Sequence, residues 1–85
     1  MSKVQVNEEF LKAALRVGHG NWKAEYEGWN EIYHIRLEKL ALNSSQYRLI
    51  FSTETGQAWD VAVGHNAEEM FKMLKEYFPN ELVLY

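Results

Sequence analysis

The sequence predicts an α+β domain, an antiparallel three- to four-stranded meander flanked by an N-terminal and a C-terminal helix. Three observations carry this. Residues 8–17 and 67–78 place apolar side chains at helical spacing, each run behind an asparagine suited to cap it. Residues 47–63 alternate apolar and polar around a glycine-containing loop, as a hairpin does. An isolated two-stranded hairpin is marginal in water, so further strands or a covering helix must complete it.

The first helix starts after Asn7, whose side chain can accept a hydrogen bond from the first turn, where Glu8 and Glu9 oppose the helix dipole. Phe10, Leu11, Ala14 and Leu15 form its apolar stripe, and Gly18 supplies the left-handed stop. Gly18-His19-Gly20-Asn21 then turns the chain. It lacks the third glycine, the Gly-Lys-Ser/Thr and the preceding strand of a phosphate-binding loop.

Residues 22–42 read two ways. Trp22, Tyr26, Trp29 and Tyr33 are spaced 4, 3 and 4 apart, which would align them on one helical face. Gly28 opposes that reading, at a cost of about 1 kcal/mol inside a helix. Trp29, Ile32, Tyr33 and Ile35 also favour strands. The hairpin that follows needs a neighbour, so strands are preferred: one around Trp22–Tyr26, a turn at Glu27-Gly28-Trp29-Asn30, and another over 32–40.

Asn43-Ser44-Ser45-Gln46 is a turn, and Thr53-Glu54-Thr55-Gly56-Gln57 is the hairpin loop. One sheet face should carry Tyr33, Ile35, Leu37, Tyr47, Leu49, Phe51, Trp59, Val61 and Val63 as core. The other should carry His34, Arg36, Glu38, Arg48, Ile50, Ser52, Ala58 and Asp60. Asn66 caps the second helix with Glu69 in capping-box position. Its stripe is Ala67, Met70, Phe71, Leu74, Tyr77 and Phe78, and Pro79 ends it. Leu82–Tyr85 is a short apolar tail read as an edge strand, which could pair across a two-fold axis to give a homodimer.

An 85-residue chain without cysteine has material for one domain, 1–85, held by its apolar core rather than by disulfides or thiolate metal sites. The first residues lack the apolar run of a signal peptide, and no segment approaches membrane-spanning length, so a cytoplasmic location away from membranes is expected. A net charge of −3 argues against general nucleic-acid binding. The histidines His19, His34 and His65 fall in no ligand-spaced pattern, so neither a metal nor a cofactor is expected. Ser44 and Ser45 have no nucleophile-elbow context, and a chain this short has little material for both a core and a substrate pocket. Enzymatic activity is therefore not expected.

What remains is binding. Trp22, Glu25, Tyr26, Glu27, Trp29 and Glu31 combine large rings with carboxylates, the composition of an interface centre facing a basic protein partner. A protein-binding module, inhibitory or regulatory, is the expected function, with Trp29 or Tyr26 buried in the partner. The alternative is single-stranded nucleic acid on the open sheet face, held by Arg36 and Arg48 with His34 and Lys23 beside them.

Overall fold

The computed structural model describes residues 3–27 and 32–85. Elements follow in the order β1 (Val4–Gln5), α1 (Glu8–Val17), β2 (Gly20–Tyr26), β3 (Tyr33–Lys39), β4 (Tyr47–Ser52), β5 (Ala58–Gly64), α2 (Ala67–Tyr77) and β6 (Leu82–Leu84). The strands form one antiparallel sheet of six, in the order β1-β6-β2-β3-β4-β5. The expected meander is present as β2 to β5, but three to four strands is too few, because both chain ends add strands beyond β2.

Both helices start and stop for the reasons their sequences imply. Asn7 Oδ1 accepts from the Phe10 N–H at 2.8 Å, and Gly18 takes a φ of 94° while its N–H reaches the Ala14 carbonyl. Asn66 Oδ1 accepts from the Glu69 N–H at 2.9 Å. The Glu69 carboxylate reaches back to the N–H of His65, one residue before the cap rather than the cap itself. The two helices pack on each other, and α2 packs on β5. Leu11 and Ala14 of α1 and Ala67, Met70 and Leu74 of α2 share one core with Ala24, Ile35, Leu37, Leu49, Phe51, Val61, Leu82 and Leu84 of the sheet. The helices thus cover one sheet face and leave the other open.

The window of ambiguous period contains the strands β2 and β3. Trp22 pairs with Ile35 and Ala24 with Tyr33. The expected turn at Trp29, and Glu31 beyond it, lie outside the described residues. Gly20 has a packing role here. A methyl group on it would collide with the Trp22 indole, which folds back over the glycine and meets Phe10 edge-on at 5.3 Å between ring centroids.

Three expectations need correction. First, Leu82–Tyr85 is not an edge. The strand β6 pairs with β1 on one side and β2 on the other, and mutual Tyr85–Lys23 backbone hydrogen bonds extend the second ladder. Its backbone is therefore spent within the chain, and a homodimer built by pairing this tail across a two-fold axis has no free edge to use. Second, the strict alternation of β5 breaks. A bulge between its pairings with Leu49 and Ile50 inserts one residue, so Ala62 rather than Val63 faces Leu49. Trp59, Val61 and Ala62 turn toward the helices, while Val63 stands opposite Arg48 on the open face. Third, Tyr77 stays 55% exposed at the end of the α2 stripe.

Candidate functional site

The register of β2 sorts the residues expected to meet a partner onto two faces. Trp22 and Tyr26 point to the helix side with Ala24 and are half-buried. The Tyr26 ring meets Phe78 at 5.1 Å, and its hydroxyl accepts from the Asn80 N–H at 3.0 Å. Glu25 points to the open face, where Lys3 Nζ lies 2.9 Å from its carboxylate. That contact, joined by a hydrogen bond from the Tyr85 hydroxyl and opposed by partial desolvation, holds the Glu25 carboxyl below its ordinary value.

Glu25 stands opposite Val83, and Tyr26 opposite Leu82. Continuing the ladder brings Glu27 toward Glu81. These residues line a depression of about 400 Å³ formed by Glu25, Tyr26, Glu27, Glu81 and Val83. Three carboxylates therefore gather at one end of the open face. Glu81 and Val83 went unnoticed in the sequence, because only the placement of β6 beside β2 brings them there.

The arginines are arranged differently from expectation. Arg36 stands opposite Ile50, and Arg48 opposite Glu38, so Glu38 lies between the two guanidinium groups. Arg48 donates to Glu38 Oε1 from Nε at 3.0 Å and from Nη2 at 2.6 Å, and its Nη1 is 3.9 Å from Asp60. Arg36 Nε lies 3.3 Å from the other Glu38 oxygen. Donation from Arg48, with the Arg36 charge adding to it, holds Glu38 below the ordinary carboxylate value despite some desolvation. Ile50 is 8% exposed although it sits on the open face, where its neighbours across the strands are Arg36 and Asp60.

His34 stands opposite Lys23 and Ser52. His65 is engaged elsewhere, with ring nitrogens 3.2 Å from Ser45 Oγ and 3.3 Å from the Gln46 amide. Among the described residues no group of three or more His, Asp or Glu is placed to hold a metal ion. No helix among them is long and apolar enough to cross a membrane.

The chain matches no protein family, no curated protein and no solved structure.

Proposed function

We propose that this is a non-enzymatic protein-binding module whose contact surface is the acidic end of the open face. The observation that supports this reading is the depression lined by Glu25, Tyr26, Glu27, Glu81 and Val83, three of them carboxylates. Glu25 already shows the intended chemistry within the chain, since it takes the ammonium of Lys3. A lysine- or arginine-bearing segment of a partner would find Glu27 and Glu81 exposed beside it. Complementary charge of this kind speeds association and selects against acidic partners more than it adds raw affinity. Trp29, two residues after Glu27 in the sequence, is the proposed apolar anchor and Glu31 a further proposed acidic contact; both lie outside the described residues.

The test is fluorescence anisotropy with a labelled basic peptide that alternates arginine with leucine. Wild-type protein should bind, more weakly as salt rises. The pair Glu27→Lys with Glu81→Lys should weaken binding at least about tenfold, or about 1.4 kcal/mol. Glu76→Lys, on the exposed side of α2, should leave it unchanged. Equal binding by the Glu27/Glu81 pair and the wild type would remove this reading.

A further inference from the structure

The middle of the open face has the opposite character. The ladder aligns Tyr85, Lys23, His34, Ser52 and Ala58 in one row across β6, β2, β3, β4 and β5. Asn21, Arg36, Ile50 and Asp60 form the next row. Two depressions follow these rows, one of about 200 Å³ bounded by Asn21, His34, Arg36, Ile50, Ser52 and Ala58, and one of about 480 Å³ bounded by Asn21, Trp22, Lys23, His34 and Tyr85. They share Asn21 and His34, so they form one trough crossing the strands.

No carboxylate lines either depression. The nearby acids contact cations: Glu25 meets Lys3 and also accepts from the Tyr85 hydroxyl, Glu38 meets chiefly Arg48, and Asp60 lies 3.9 Å from Arg48. Lys23 is exposed and His34 half-buried, and among the described residues neither has a side-chain hydrogen bond or ion pair. The Arg36 side chain remains 55% exposed despite its contact with Glu38. Lys23, His34 and Arg36 therefore present donors to the same space, with Asn21 and Ser52 adding neutral ones. The floor includes Ile50 and Ala58, and Tyr85 supplies a ring at one end, with Lys3 Nζ over it at 5.4 Å from the ring centroid.

We propose that this trough binds single-stranded nucleic acid, with Lys23, His34 and Arg36 on the phosphates and Tyr85 beside a base. Charge selects an anion. The extent of the trough selects a polymer over one phosphate, since four strand spacings of about 4.8 Å separate β6 from β5. The Tyr85 ring at the end of the trough suits unpaired bases, which stack on aromatic side chains, whereas a duplex hides them. Arg48, the other arginine on this face, takes no part because Glu38 and Asp60 hold it. The Tyr85 hydroxyl bonds Glu25 of the acidic end, but no residue lines both the trough and the acidic depression, so the Lys23 and Arg36 variants test one and the Glu27/Glu81 pair the other.

The experiment is anisotropy of a labelled oligothymidine of about ten nucleotides, longer than the trough needs. Binding should appear at low salt, and log K should fall with log salt at a slope of about −1.4, with Lys23 and Arg36 each contributing about 0.7 per phosphate neutralised on a single strand. Lys23→Glu and Arg36→Glu should each weaken binding at least about tenfold, and Tyr85→Leu about fivefold, with folding of every variant checked by its thermal melt. Lys72→Glu, on α2 away from the open face, and the Glu27→Lys/Glu81→Lys pair should not weaken it. The proposal fails if the strand does not bind at low salt. It also fails if Lys72→Glu costs as much as Lys23→Glu, or if inorganic pyrophosphate displaces the strand at equal concentration, since that would mark a site for phosphate alone.

Discussion

Trp22 shows how one glycine decides the role of a large side chain. Its indole reaches Phe10 because Gly20, two residues earlier on the same face of β2, leaves the space that the ring crosses. Alanine at position 20 would ordinarily stabilise by restricting the unfolded chain, by about 0.4–1 kcal/mol. Here its methyl must push the far end of the indole aside. That loosens an edge-on aromatic pair of about 0.5–1.5 kcal/mol and adds overpacking of about 1–3 kcal/mol. The second effect is larger, so Gly20→Ala should lower the melting temperature. In a background with Trp29 and Trp59 replaced by phenylalanine, it should also make Trp22 more accessible to acrylamide. A Gly20→Ala protein that melts higher with unchanged quenching would show that the ring does not depend on this gap.

At the scale of elements, the strand β6 carries weight out of proportion to its length. Leu82 and Leu84 are 4% and 2% exposed, and the strand joins β1 to the rest of the sheet. Deleting residues 82–85 would strip β1 of its only ladder in the sheet order, open the edge of β2, and expose Ala24 and the neighbouring core. Losing even one such leucine typically costs about 2–5 kcal/mol, a large share of the stability of a small domain. The truncated chain should therefore show no cooperative urea transition, and a sharp transition near the wild-type midpoint would mean that β6 is dispensable. This element is also where sequence and structure part. The helices were legible because Asn7, Gly18, Asn66 and Pro79 mark their ends through local bonding. The hairpin of β4 and β5 was legible because Gly56, at a φ of 96°, marks its loop. Nothing local tells Leu82–Leu84 that its partners are Val4–Gln5 and Ala24–Tyr26, since that pairing joins the two ends of the chain. The same ignorance hid Glu81 from the acidic end and Tyr85 from the basic trough. The bulge in β5 was hidden for a different reason: alternation of Trp59, Val61 and Val63 reads as perfect, and only the paired strand reveals the inserted residue.

For the whole molecule, the division of labour between the two sheet faces links stability to pH. The helix-covered face is mostly apolar. The open face holds its carboxylates against cations from distant parts of the chain: Glu25 with Lys3 of the N-terminal segment, and Glu38 with Arg48 of β4. Both carboxyls sit below their ordinary value of 4.5, Glu25 chiefly through the hydrogen bond from Lys3 and Glu38 chiefly through that from Arg48. A carboxyl lowered in the folded state contributes stability that is fully present above its unfolded value. That contribution is lost as the pH falls through the folded value, because the folded protein must then take up a proton it resists. Melting temperature should therefore be flat just above pH 4.5 with respect to these two groups and decline below it. The Lys3–Glu25 pair is exposed and the Arg48–Glu38 pair partly open to solvent, so each effect is small and salt should reduce it. Arg48→Met removes the main cause of the Glu38 shift and leaves Glu25 untouched; Lys3→Met does the converse. Each variant should flatten the acid limb in part, and the two together should flatten it most, because Lys3 and Arg48 act at opposite ends of the face without a shared partner. An acid limb as steep in the double variant as in the wild type would place the acid sensitivity elsewhere in the chain.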